Sequence, residues 1–109
     1  MIEKPHMTSD SILARFRAAT VAVYGARIER IVLFGSHARG EARPDSDYDV
    51  AVFLYDLVDR FIEVDRLAEI QTDMLDETDA FIHAMPFPAG AWAERTPLMH
   101  DIRSEGREL

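Results

Sequence analysis

Residues 33–54 read LFGSHARGEARPDSDYDVAVFL, and this stretch decides the fold. Its first letters close a short β-branched run, Arg30 to Phe34, that reads as a buried strand stopped by a tight turn at Gly35. The chain from Gly35 to Ser46 is polar and turn-rich, and a second strand follows from about Tyr48 to Tyr55. Strand alternation places Asp47, Asp49, Ala51 and Phe53 on one face and Tyr48, Val50, Val52 and Leu54 on the other. Both carboxylates therefore stand at the N-terminal end of a strand and project to the same side.

Working outward, the apolar positions Ile12, Leu13, Phe16, Ala19 and Val23 have helical spacing from Ser9 onward, with Thr8, Ser9 or Asp10 as N-cap and Gly25 as the stop. After the second strand, Ile62, Leu67, Ile70, Met74 and Leu75 mark an amphipathic helix from about Asp59 to Glu77. Ala80 to Met85 reads as a third strand, closed by the run Pro86 to Gly90 because its two prolines cannot continue a ladder. A last helix runs from Thr96 or Pro97 to Glu105, with Thr as cap, Pro at the first turn and Gly106 at the end. These elements predict an α+β fold with a small mixed, mostly antiparallel sheet of three to four strands flanked by helices. The expectation is a single domain over residues 1–109, with 1–8 as a flexible lead.

Composition removes several classes of function. The chain has 109 residues, 20 acidic against 12 basic side chains, a net charge of -8 and no cysteine. Without cysteine there is no disulfide scaffold, thiol nucleophile, iron–sulfur cluster or thiolate zinc site. The negative charge disfavours non-specific binding to a nucleic-acid polymer. Apolar runs are far shorter than the roughly 20 residues of a membrane span, and the mixed charges of residues 1–10 do not have the order of a signal peptide. A cytoplasmic protein is expected, with no membrane partner.

The chemistry gathers in residues 35–49. Residues i and i+2 of a strand lie about 6.6–7 Å apart at Cα, so Asp47 and Asp49 can share divalent cations. Oxygen donors without cysteine select Mg²⁺ or Mn²⁺ over zinc. Gly35 permits close backbone approach to an anion, and Ser36 offers a hydroxyl and an amide N–H to a phosphate oxygen. Phosphate at one end and metal at the other describe a nucleoside triphosphate cradle. A P-loop is excluded because no lysine follows Lys4. An aspartyl-phosphate phosphatase would carry its nucleophile at the C-terminal end of an apolar strand, whereas here the strand follows the carboxylates.

Gly35 and Ser36, then ten residues, then Asp47-Tyr48-Asp49 resembles the signature of the minimal nucleotidyltransferases (MNT) of the polymerase-β superfamily, and Ala38, Arg39, Gly40 and Ser46 add to the likeness. The terminal run Pro97 to Gly106 is also typical of stand-alone members. The resemblance implies a nucleotidyltransferase fold and transfer of AMP from ATP to an acceptor hydroxyl with release of pyrophosphate. It further implies Asp47 and Asp49 as catalytic metal ligands, Gly35 and Ser36 as the nucleotide-binding turn, and Arg39 as a further nucleotide contact. Stand-alone relatives serve as antitoxins beside a helical HEPN ribonuclease toxin, which they silence by AMPylation. Full catalytic sets in this family carry a third acid on the next strand. Aligning its proline context with Pro86 places His83 there, and Asp79 lies four residues earlier on the same parity, so His83 is the candidate base and Asp79 a candidate third metal ligand.

Each residue has a plainer reading. Asp47 and Asp49 could be an acidic turn before a strand. Arg39 and Arg43 could pair with Glu41 or Asp45 rather than with phosphate. His83, amid Phe81, Ile82 and Met85, could be a half-buried structural histidine. The run Asp73, Asp76, Glu77 and Asp79 reads as a solvated helix end, and Trp92 and Phe87 either pack on the core or face a partner. Three functions follow: an active adenylyltransferase antitoxin, an antitoxin that only binds, or a small-molecule nucleotidyltransferase of the antibiotic-modifying kind. Homo- and hetero-oligomers are both compatible.

Overall fold

The computed structural model describes residues 7–109. Its elements are α1 (Ser9–Tyr24), β1 (Ile28–Phe34), α2 (Ser36–Arg39), β2 (Tyr48–Leu54), α3 (Arg60–Thr78), β3 (Ile82–Pro88), α4 (Pro97–Glu105) and β4 (Arg107–Glu108), with 3-10 turns at Gly25–Arg27 and Ala91–Ala93. Side chains set the helix starts. Thr8 caps α1 through Ser11 N–H, Asp59 caps α3 through Phe61 and Ile62 N–H, and Thr96 caps α4 through Met99 N–H. Of the expected N-terminal lead, residues 1–6 lie outside the described residues, while Met7 packs against the core.

The four strands form one sheet in the order β3-β2-β1-β4. β1 is antiparallel to both β2 and β4, and β2 is parallel to β3, so the sheet is mixed and mostly antiparallel. β2 is buried on both faces. Tyr48, Val50, Val52 and Leu54 join Ile31 and Leu33 under α1 and α3, through Leu13, Phe16, Leu67, Ile70 and Met74. Ala51 and Phe53 join Val32 and Phe34 on the other face, under Met99 and Ile102 of α4. Trp92 packs edge-on to Phe53 with ring centroids 5.7 Å apart, and Phe87 stacks on Phe53 at 5.5 Å, so both aromatics belong to this second core.

The structure differs from the sequence expectation in four places. First, β3 does not stop at Met85 but runs through Pro86 to Pro88. Tyr48 N–H donates to Phe81 and Ala89 N–H donates to Leu54, so the odd-numbered residues of this edge strand face β2. Ala84, an even-numbered residue, turns its N–H outward to Gln71 Oε1 at 2.9 Å. Pro86 and Pro88 fall in the same outward set, where a missing N–H costs the ladder nothing. Second, the helical stripes are rotated. Val23 and Ile62 are exposed, while Thr20, Tyr24 and Glu63 are buried. Thr20 satisfies its hydroxyl on the Phe16 carbonyl at 2.8 Å, and Glu63 is held by Arg27 and Arg66 at 2.6 and 2.9 Å. Third, the polar stretch after Gly35 begins with one helical turn, α2. Fourth, the last of the expected three to four strands, β4, lies after the final helix and pairs next to β1, where the pattern located no strand.

Candidate active site

The turn after β1 brings the site together. Phe34 pairs in register with Asp49, so the next residue, Gly35, lies beside the Asp49 carboxylate. A Cβ built on Gly35 would sit 2.5 Å from Asp49 Oδ2, well inside van der Waals contact. Gly35 also has φ 76° and ψ -159°, a region essentially restricted to glycine. Ser36 then opens α2, with Gly35 as the N-cap. The absence of a side chain on Gly35 thus lets the Asp49 carboxylate and the turn into α2 share one corner.

Asp47 is exposed and immediately precedes β2, on the parity of Asp49. The residues on either side of it are anchored. Ser46 Oγ accepts from Arg43 N–H at 2.8 Å, and the Ser46 carbonyl lies 3.0 Å from His37 Nε2. His37 also stacks on Tyr48 with centroids 3.7 Å apart, and the Tyr48 hydroxyl meets Ser9 Oγ at 2.8 Å. His37 is therefore a staple between α2 and the start of β2, which fixes where Asp47 leaves the loop.

His83 pairs in register with Asp49 across the parallel β2–β3 ladder. Its Nδ1 lies 3.6 Å from Asp49 Oδ1, with side-chain exposures of 59% and 34%. Asp79 is not on that strand. It caps α3 in a left-handed conformation at φ 63°, before β3 begins at Ile82, and lines a cavity of about 870 Å³ with Ser9, His37, Arg43 and Tyr48. That cavity lies on the Tyr48 side of β2, whereas Asp49 shares the parity of Ala51 and Phe53. His83, and not Asp79, therefore stands beside Asp49 across the ladder.

Arg39 is paired with two carboxylates. Its Nε donates to Glu41 Oε2 at 3.0 Å and its Nη1 to both oxygens of Glu105 at 3.2 and 3.3 Å. These hydrogen bonds, to Glu41 first and then Glu105, raise the guanidinium pKa above its ordinary value. Glu105 was not a candidate from sequence, yet its Oε1 also accepts from Gly35 N–H at 3.1 Å. The only sequence signal for it was the acid-glycine pair ending the last helix.

Among the described residues no group of three or more His, Cys, Asp or Glu is placed to hold a metal ion by itself. Two carboxylates with open surroundings are instead the donor set that Mg²⁺ accepts when substrate phosphates and water complete its shell. The residues present fit such an ion.

The profile of the nucleotidyltransferase domain family matches residues 13–89, which span the turn, both aspartates and His83. A protein from Methanocaldococcus jannaschii that bears the name "Putative protein adenylyltransferase" is 29% identical over 79 residues, 72% of this chain and 73% of its own length. A toxin–antitoxin crystal structure with AMP-PNP superposes with a TM-score of 0.63 at 18% identity, covering 93% of this chain and 72% of its own. A structure of a tri-AMPylated Shewanella oneidensis HEPN toxin in complex with MNT antitoxin gives a TM-score of 0.53 at 18% identity, covering 91% and 66%. These two likenesses concern the fold, which is that of a nucleotidyltransferase. The family match covers most of the chain and contains the corner built by Gly35, Ser36 and Asp49, and the chain accordingly belongs to the nucleotidyltransferase domain family.

Proposed function

We propose that this protein transfers AMP from ATP to a hydroxyl of a partner protein, and that the partner is a HEPN-type toxin which the modification neutralises. The observation that carries the reading is that Asp49 Oδ2 lies 2.5 Å from where a Cβ on Gly35 would be, because this brings an acid able to hold a cation and a turn able to hold a phosphate into one corner. The adenylyl group and the toxin as acceptor are supported by the name of the archaeal relative and by the AMPylated toxin held by an MNT antitoxin of the same fold.

The chain's own residues divide the work. Ser36 and the Gly35 turn hold the β- and γ-phosphates, which fixes the triphosphate for in-line attack. Asp47 and Asp49 would hold Mg²⁺ (or Mn²⁺), which when bound neutralises triphosphate charge and polarises the α-phosphate. The acceptor oxygen bonds to the α-phosphorus as the bond to the β-phosphate oxygen breaks, and pyrophosphate leaves. The hydroxyl proton passes to His83, whose Nδ1 lies 3.6 Å from Asp49 Oδ1 and whose side chain is exposed, within reach of a macromolecular acceptor. Among the described residues, α4 and the 3-10 turn at Ala91–Ala93 cover the sheet on this side, and this reading assigns recognition of the acceptor to the partner's own surface.

A second reading is an antitoxin that acts by binding alone, favoured by the imidazole that stands beside Asp49 where a third carboxylate is expected. Incubation with Mg²⁺, ATP and the HEPN partner, followed by intact-mass measurement of the partner, separates the two. A gain of one or more AMP units that disappears in Asp49→Asn supports transfer, while an unmodified partner in a stable complex supports binding alone.

A further inference from the structure

Glu105 occupies a position created by the register of the last strand. Val32 pairs with Glu108 and Leu33 with Arg107, so continuing the antiparallel register sets Glu105 opposite Gly35. The backbone cannot bond there, because the chain turns into α4 at this point and Gly106 N–H is already committed to the Ile102 carbonyl. The Glu105 side chain fills the gap and accepts from Gly35 N–H at 3.1 Å. The same carboxylate takes both hydrogen bonds from Arg39 Nη1, at 3.2 and 3.3 Å. Gly35 is the N-cap of α2 and Arg39 its last residue, so one carboxylate ties both ends of the turn that carries Ser36.

The tether is itself tightly placed. A Cβ on Gly106 would overlap the Ile102 carbonyl oxygen and Val32 Cγ1, so α4 ends directly against β1 with no slack before β4. Glu105 is only 23% exposed at its side chain, with Arg39 at 41%. Without the carboxylate, the part-buried Gly35 N–H loses its acceptor at the residue whose backbone must stay clear of Asp49.

We propose that Glu105 is a positioning residue for nucleotide binding: it holds the Gly35–Arg39 turn rigid so that Ser36 and Asp49 meet the triphosphate together. This rests on the nucleotidyl-transfer reading above, but its structural half can be tested apart from it. Glu105→Gln keeps an acceptor for Gly35 N–H, and Glu105→Ala removes it. The affinity of the whole chain for Mg²⁺ with AMP-PNP, measured by calorimetry, should fall about tenfold or more in Glu105→Ala and stay within about threefold in Glu105→Gln, as for the loss of outer-shell support at a binding site. In turnover, KM for ATP should rise while KM for the protein acceptor is unchanged. Backbone ¹⁵N relaxation should show residues 35–39 loosened in Glu105→Ala and ordered in Glu105→Gln, with or without nucleotide. A folded Glu105→Ala variant with wild-type order at residues 35–39, or with wild-type nucleotide affinity, overturns the proposal. Should Glu105→Ala not fold, Glu105→Asp replaces it: one methylene shorter, it cannot span Gly35 and Arg39, and behaviour equal to Glu105→Gln overturns the proposal equally. Failure of the wild-type chain to bind AMP-PNP would count against nucleotidyl transfer, while the relaxation result still decides the role of Glu105.

Discussion

Gly35 carries two constraints at once, a backbone conformation closed to other residues and a carboxylate where a Cβ would sit. Gly35→Ala should therefore cost about 1–3 kcal/mol in backbone strain alone and displace Asp49, so that AMP transfer is lost even where circular dichroism shows a folded chain. His83 is predicted to act on the acceptor and not on the fold. His83→Ala should lower the rate about 100-fold or more, within the range for loss of a general base, with the urea midpoint unchanged; an unchanged rate would remove His83 from the mechanism. At this scale the sequence made the local geometry legible where residue type and spacing alone decide it, as with the turn at Gly35 and the position of Asp49 early in β2. Glu105 was not legible, because it lies 70 residues from Gly35 and reaches it only through the β1–β4 pairing. The pairing of Arg39 with Glu41 was visible as a local charge pair, whereas its second tie, to Glu105, depends on the same distant register.

Elements were legible through their ends. Thr96, and Thr8 among the three candidates for α1, are caps in the structure as in the sequence, since a cap is a local hydrogen bond, and Asp59, where the sequence begins its helix, caps α3 in the same way. α4 delivers Glu105, so its cap matters to the site. Thr96→Ala should cost about 1 kcal/mol, read as a lower urea midpoint, and should weaken nucleotide binding through the same turn that Glu105 holds. The stripes on α1 and α3 were less legible, because hydropathy alone cannot tell that Glu63 is paired inside the protein while Ile62 faces solvent. Tyr24 lies at this α1–α3 junction, its hydroxyl near the Glu63 carbonyl. Burial first, and the Glu63 carboxylate second, push its pKa from 10.0 up to about 12 against the opposing Arg66 and Arg27. A folded pKa above the unfolded one gives stability that is whole below pH 10 and lost as pH rises through about 12. Wild-type stability should therefore fall by about 2–3 kcal/mol across that window from this group, and Tyr24→Phe should lack that share of the decline. Urea titrations at pH 9 and pH 12 measure the difference.

For the whole molecule, alternation along β2 predicted two oppositely facing sets of residues, and the sheet does bury both, one under α1 and α3 and the other under α4. What the pattern could not supply was the length of β3 or the existence of β4. The first depends on which edge of the sheet the prolines face, the second on two exposed residues without apolar signal. No helix among the described residues is long and apolar enough to cross a membrane. The net charge of -8 favours a basic partner surface, so complex formation with the proposed toxin partner should weaken as salt is raised. The central claim is that the corner formed by Gly35, Ser36 and Asp49, with Asp47 on the same strand parity, moves a nucleotidyl group. Its most direct test follows ATP labelled at the α-phosphate in one sample and at the γ-phosphate in another, with Mg²⁺ and the HEPN partner present. The account predicts that the α-label joins the partner, that the γ-label leaves in pyrophosphate, and that Asp49→Asn lowers both at least about 100-fold. A γ-label on the partner, or α-label transfer undiminished in Asp49→Asn, would contradict it.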